Sequence, residues 1–169
     1  EVISRELAQE IMARLDGDAG SYHGYIAHRR TFYLGRWIMH GGWVPDCEIR
    51  LFKKSAGAFE GGLHANVKVR GPVGELKAFY QHFNYRDIAD QIDTINRYSA
   101  TAAQDMFSEG RRFHFHDLIL RPPIRFIKEY FFKRGCLDGM PGLVIACSTM
   151  YYVFIKYAKL WELEKGLKG

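Results

Sequence analysis

At 169 residues, 47% of them hydrophobic and 15% aromatic, with a formal charge of +5, the chain suits one ordinary folded domain with an appendage and is too apolar for a disordered basic tail. Cys47, Cys136 and Cys147 share no short spacing, so neither a disulfide framework nor a zinc site is indicated, and a reducing compartment is expected. Glu1-Val2-Ile3 runs at once into a helical pattern with no secretory signal before it, as expected of a cut made inside a domain.

Ser4 is placed to cap a first helix in which Leu7, Ile11, Met12 and Leu15 recur at helical spacing, with Glu6 in the first turn; Asp16-Gly17-Asp18-Ala19-Gly20 ends it. Tyr22 to Tyr33 alternates loosely and predicts a strand, Gly35 to Gly42 a loop or short helix, and Cys47 to Lys53 a second strand. Gly57 to Gly62 is glycine-rich and predicts a flexible stretch. Val67, Val69 and Leu76 to Phe79 predict short strands around the turn Gly71-Pro72. From Tyr85 to Phe107 the period changes: Ile88, Ile92, Ile95, Tyr98, Ala102 and Met106 predict an amphipathic helix ending at Gly110, with those residues as its apolar face.

Beyond Gly110 the chain is basic and aromatic. Residues 111–134 hold seven Lys or Arg against Asp117 and Glu129, which accounts for the whole formal charge. Arg121-Pro122-Pro123 predicts an interruption or a start of helix, since proline lacks the donor and the residue before it avoids the helical region. Leu120, Ile124, Ile127 and Phe131 then form one stripe and Arg121, Arg125 and Lys128 the adjacent one, a pattern suited to an anionic membrane surface. Lys133 joins the basic set. Gly135 to Gly142 reads as a turn. The uncharged run Leu143 to Ile155 is thirteen residues long, short of the roughly 20 that cross a bilayer as a helix, so a buried helix, a re-entrant element or a surface-lying helix is expected rather than a span. Trp161, with Lys156 and Lys159, supplies an interface-seeking end. A nucleic-acid module is the rival reading of the basic run, but no recognised fingerprint accompanies it and no nucleic acid is expected as a partner.

The densest polar constellation is His40-Gly41-Gly42-Trp43-Val44-Pro45-Asp46 with Arg50 beyond it. Two glycines let backbone approach a ligand, and Trp43 offers a flat apolar face to a sugar ring. Asp46 is a candidate general base for an acceptor hydroxyl, which needs a carboxylate within about 3 Å; alternatively it caps a turn or pairs with Arg50. Arg50 is a candidate for orienting phosphate or carboxylate, or else pairs with Glu48 or Asp46.

His40 to Phe52 resembles the segment that follows the metal-binding carboxylates in a branch of the family 2 glycosyltransferases, the branch of lipopolysaccharide inner-core β-1,4-glucosyltransferases. The likeness extends through Tyr33-Leu34-Gly35-Arg36-Trp37-Ile38, Gly71-Pro72-Val73-Gly74, Tyr85-Arg86-Asp87, Asn96-Arg97-Tyr98, Leu120-Arg121-Pro122-Pro123, Arg134-Gly135-Cys136-Leu137-Asp138-Gly139 and Tyr157-Ala158-Lys159-Leu160-Trp161-Glu162.

The resemblance implies an α/β fold: the C-terminal, acceptor-side part of a Rossmann-like GT-A domain over 1–110, then an amphipathic, membrane-interfacial helical extension over 111–169. It implies a nucleotide-sugar donor, Mg²⁺ or Mn²⁺ in the intact enzyme, a lipid-linked glycan acceptor, and inverting transfer at the cytoplasmic face of a bacterial inner membrane, the protein being peripheral or monotopic. The N-terminal nucleotide-binding half is expected to be missing, which leaves these residues alone inactive. By the resemblance, His40, Trp43 and Arg50 contact acceptor, Asp46 and His64 are catalytic, and His64 is the one possible metal contact. Relatives of that branch carry Glu where this chain has Ala65, so the alternative is a membrane-associated relative with lost or impaired catalysis.

Overall fold

The computed structural model describes residues 1–17, 21–60 and 66–167, and divides the chain into two compact units: Glu1–Phe32 with Pro45–Phe83, and Tyr33–Val44 with Asn84–Gly169. The architecture is mixed α/β with a long C-terminal helix. Whereas the sequence suggests a boundary at residue 110, the helix that precedes this point packs with the helices that follow it.

The first unit is a helix on a small sheet. Its strands are β1 (Val2–Ile3), β2 (Gly24–Tyr33), β4 (Cys47–Phe52) and β7 (Val73–Phe83), with β3 (Arg36–Trp37) counted in the second unit. β7 pairs antiparallel with β1 and parallel with β2, and β2 pairs antiparallel with β4. The parallel pair needs a long crossover, which this chain supplies through everything between the two strands. Alternation turns Tyr25 and Ala27 of β2 and Leu76 and Tyr80 of β7 inward, where α1 (Arg5–Gly17) covers them with Leu7 and Ile11. Ser4 caps that helix as expected, its Oγ accepting from Leu7 N at 3.1 Å, a contact that stabilises by about 1 kcal/mol. Glu10 then ties the helix to the sheet: its carboxylate accepts from Lys77 N at 2.9 Å and Ala78 N at 2.8 Å. Gly57–Glu60, expected as flexible, is instead strand β5, paired antiparallel with β6 (Asn66–Val69). Phe59 and Val67 sit opposite each other there, and cross-strand pairing outweighs the weak strand propensity of glycine.

The second unit is helical. α2 (Ile88–Ser108) begins at Asp87, whose Oδ1 accepts from Asp90 N at 2.8 Å. The helix is as expected, but its inward face differs in part. Gln91, Ile95, Ser99 and Ala103 are buried, while Ile88, Ile92 and Tyr98 are 48%, 37% and 64% exposed. Small side chains let a neighbouring helix approach closely. That neighbour is α4 (Gly139–Lys165), whose Tyr157 and Leu160 join Ala103 in the core.

The two prolines do not interrupt a helix. α3 (Phe115–Ile127) runs through Pro122 and Pro123, with Pro122 buried. Each proline leaves a carbonyl without its usual partner, a loss that the packing of α3 on α4 offsets. One π-helical turn follows at Lys128–Phe132, with Lys133 N bonded to Lys128 O at 2.9 Å, then a 3-10 turn at Gly135–Asp138. The turn expected over Gly135 to Gly142 therefore ends early, because Pro141 lies in the first turn of α4, where its missing N–H costs nothing. The uncharged run is thus embedded in a 27-residue helix, and among the described residues the Gly135–Lys165 segment is long and apolar enough, by length and composition alone, to cross a membrane. Ile145, Ala146, Ser148, Tyr157 and Leu160 of it are buried.

Candidate functional site

Asp46 lies just before β4 and faces Arg29 of β2. Arg29 N donates to Asp46 O at 2.8 Å, aligning the two backbones, and the guanidinium closes on one carboxylate oxygen, with Nε 2.7 Å from Oδ2 and Nη2 on the same atom. Both side chains are about a quarter exposed. Oδ1 accepts no hydrogen bond from the described residues, so one oxygen is fixed and the other is left for a further donor. Such a carboxylate is positioned for proton acceptance. Arg29, which the sequence did not single out, is the partner; Arg50 is not.

Arg50 points along the same unit to three internal groups. Its Nε donates to Tyr80 Oη at 3.2 Å, and its Nη2 lies 3.2 Å from Glu1 Oε1 and 2.9 Å from Glu48 Oε2. Burial alone would depress the guanidinium, but the Tyr80 hydrogen bond and the nearby carboxylates reverse this and raise its pKa. Burial raises the Tyr80 phenol as well. The Glu48 pair is the structural alternative that the sequence already offered for Arg50.

His40 and Trp43 belong to the second unit. The loop that carries them is held by Asp138, a fully buried carboxylate: Oδ2 accepts from Met39 N at 3.1 Å and His40 N at 2.8 Å, and Oδ1 lies 3.1 Å from His40 Nδ1. Arg36 is farther, at 3.9 Å. A second buried carboxylate, Glu129 at 1% exposure, projects from the π turn toward Gly42 and pairs with Arg125 at 3.0 Å and Lys133 at 3.3 Å. Gly41 has φ +83° and its N–H donates to Lys133 O at 2.9 Å, so the loop is anchored from both ends of the turn.

Trp43 packs edge-on against Tyr33, with centroids 5.3 Å apart, and lies 5.8 Å from Tyr85. Tyr33 is buried and donates to Gln91 Oε1 at 2.5 Å, which also takes Ser148 Oγ at 3.2 Å. Burial, then the fields of Tyr85 and Asp87, push the Tyr33 phenol up to about 12. Trp43, Tyr85, Tyr98 and Tyr152 surround a cavity of about 150 Å³ whose polar groups include Gln91 and Thr94. Aromatic faces with a few fixed polar groups suit a sugar ring.

His64 and the neighbouring Ala65 lie outside the described residues. Among the described residues no group of three or more His, Cys, Asp or Glu is placed to hold a metal ion. On α3, Arg121 bonds Asp117, whose pKa that contact lowers, and Arg125 pairs with Glu129 of the following π turn, as does Lys133 beyond it. Leu120, Ile124, Ile127 and Phe131 are 53%, 60%, 45% and 58% exposed, so the apolar stripe faces outward; Trp161 is 42% exposed on α4.

In the sequence, Glu129 is one charge in a basic run and Asp138 part of a turn. The signal available was their position: a lone carboxylate in an aromatic, apolar stretch is costly to bury unless it has donors to satisfy.

No family model matches the chain, and no solved structure matches it. Among curated proteins it is 27% identical over 166 residues to the lipopolysaccharide core biosynthesis glycosyltransferase LpsC of Rhizobium meliloti, covering 94% of this chain and 58% of LpsC. It is 25% identical over 126 residues to an uncharacterized glycosyltransferase of Rickettsia typhi, covering 69% of this chain and 43% of that protein. A glycosyltransferase of Rickettsia prowazekii, also uncharacterized, is 24% identical over 99 residues, 59% of this chain and 34% of its own. The chain thus spans between about a third and three fifths of the relatives it matches. Its curated homologues are glycosyltransferases, one of them named for lipopolysaccharide core biosynthesis.

Proposed function

We propose that the intact protein is a nucleotide-sugar-dependent glycosyltransferase of family 2 and GT-A architecture, which transfers a sugar with inversion to a lipid-linked glycan at the cytoplasmic face of a bacterial inner membrane. The observation that carries this reading is the similarity to LpsC along 94% of the chain. Asp46 is the general base. Arg29 holds its Oδ2, and Oδ1 takes the proton of the acceptor hydroxyl as that oxygen attacks the anomeric carbon and the bond to the nucleoside diphosphate breaks. In the second unit, the aromatic cavity beside Trp43 suits the apolar face of a sugar ring. The outward apolar and basic stripes of α3 support peripheral attachment to an anionic membrane.

The divalent ion, Mg²⁺ or Mn²⁺, belongs to the whole-protein reading. The described residues offer no donor set for it, so no step is derived through it.

The test is the initial rate of nucleoside diphosphate release by the intact protein. Asp46→Asn lowers kcat by roughly 10² to 10⁴ and leaves donor KM within about twofold, because the amide keeps the size of the carboxylate without its basicity. A near-wild-type rate removes Asp46 from the mechanism. The reading of impaired catalysis is favoured by Ala65, and under it Ala65→Glu switches activity on.

A further inference from the structure

Between α3 and α4 lies an open pocket of about 520 Å³. Four cations, Arg121, Arg125, Lys128 and Lys156, line it against one carboxylate, Asp117. Arg121 and Arg125 come from one face of α3 and Lys128 from the start of the π turn that continues it. Lys156 comes from the facing helix and is absent from the stripe read in the sequence.

The buried Tyr157 is a shared support for two of these charges: Arg121 Cζ lies 5.5 Å and Lys156 Nζ 5.1 Å from its ring centroid. Cation–π contacts steady a charge without neutralising it. Asp117 is taken by Arg121, and Arg125 reaches Glu129. Lys128 and Lys156 have no carboxylate partner among the described residues. Burial first, and then the fields of Arg121, Arg111 and Arg125, lower the pKa of the half-buried Lys156 ammonium. An anion in that space relieves the repulsion. Leu120 and Ile124 line the same pocket and are 53% and 60% exposed, which a soluble anion would not use but an acyl chain would.

We infer that the α3–α4 pocket is a headgroup site for a membrane lipid bearing a phosphomonoester, with Arg121 and Lys156 on the phosphate, Arg125 and Lys128 at its margin, and Leu120 and Ile124 against the chains. The inference rests on the membrane-surface part of the proposed function and sharpens it from diffuse attraction to a built site.

The experiment is co-sedimentation of the full chain with phosphatidylcholine vesicles containing either phosphatidic acid or phosphatidylserine, matched in zeta potential. The phosphomonoester vesicles bind about tenfold tighter, since two charge-assisted contacts are added to a field common to both. Lys156→Gln removes that preference while leaving phosphatidylserine binding within about threefold; Lys156→Arg keeps it; Arg97→Gln, a cation on α2 outside the pocket, changes neither. Circular dichroism and thermal unfolding establish that each variant is folded. Equal binding of the wild type to the two vesicles, or equal loss on both with Lys156→Gln, overturns the site. Displacement from phosphatidic acid vesicles by millimolar inorganic phosphate, with no such effect of sulfate at equal ionic strength, identifies a soluble phosphate as occupant and overturns the lipid assignment. None of these results depends on sugar transfer, which nucleoside diphosphate release measures separately.

Discussion

Replacing Asp138 by alanine tests whether a single buried carboxylate shapes the loop that carries His40 and Trp43. The carboxylate is 1% exposed and accepts two backbone N–H groups, from Met39 and His40, while its other oxygen meets His40 Nδ1. Hydrogen bonds to a charged group contribute about 1.5–3 kcal/mol each, but the freed N–H groups sit on a half-exposed loop where water replaces part of the loss, so the net cost is about 3 kcal/mol. The Arg36 contact, at 3.9 Å and with Arg36 46% exposed, adds little. With a urea m-value of about 2 kcal/mol per M, the midpoint falls by about 1.5 M. Tryptophan fluorescence reads the transition, and Trp43 makes the loop itself a reporter. Asp138→Asn is the sharper companion. Its amide oxygen can keep the two backbone donors while its nitrogen faces His40 Nδ1, so about 1 kcal/mol is lost, and Arg36→Gln costs under about 0.5 kcal/mol. If Asp138→Ala unfolds within 0.3 M of wild type (about 0.6 kcal/mol at this slope), or if Arg36→Gln proves as costly, the loop is not held in the way described.

Gly42→Ala places a Cβ against Glu129 Oε2 and 3.0 Å from Oε1, and moving that carboxylate disturbs its pairs with Arg125 and Lys133; thermal unfolding should show about 2 kcal/mol of destabilisation, most of it absent when the change is made on a Glu129→Ala background. Glu10→Gln tests the clasp between α1 and β7: burial works against the charged form of Glu10, but the N–H groups of Ala78 and Lys77 outweigh it and lower the pKa. A lowered folded-state pKa gives stability that is full above the unfolded value near 4.3 and is lost as pH falls through the folded value. Glu10→Gln should therefore cost about 1–2 kcal/mol at pH 7 and progressively less below about pH 4, and a penalty that stays constant down to pH 3 refutes the clasp.

What the sequence disclosed of the fold was local. Ser4 before a 3.6-residue repeat, alternation along Gly24–Tyr33, and Asp87 before a long helical pattern are each readable within a few neighbours, and the structure has α1, β2 and α2 there. The face of α2 is only partly readable: Ile95 of the expected stripe is buried and Met106 packs on the core, but hydrophobic spacing also points to Ile88, Ile92 and Tyr98 while burial follows Gln91, Ser99 and Ala103. The deciding quantity is how closely α4 approaches, and small residues report that only once the partner is known. Pro122 and Pro123 mislead for the same reason: the local rule disfavours helix, and packing on α4 overrules it.

The candidate site shows how far contiguity in sequence can be trusted. His40 to Asp46 reads as one constellation, yet His40 and Trp43 fall in one compact unit and Asp46 in the other. The side chains around them come from elsewhere: Asp138, 98 residues downstream, bonds His40, Trp43 packs on Tyr33 and Tyr85, and Arg29, seventeen residues upstream, holds Asp46. Each charged partner has a local excuse, a salt bridge or a turn, so nothing in its neighbourhood marks it. Burial is what separates them. A fully buried carboxylate costs several kcal/mol unless donors are built around it, so Asp138, with two backbone N–H groups and the His40 ring on its oxygens, fixes the chain at Met39 and His40 from outside the loop's own sequence. Mutations at Asp138 and Glu129 should accordingly perturb Trp43 before they perturb anything near Asp46.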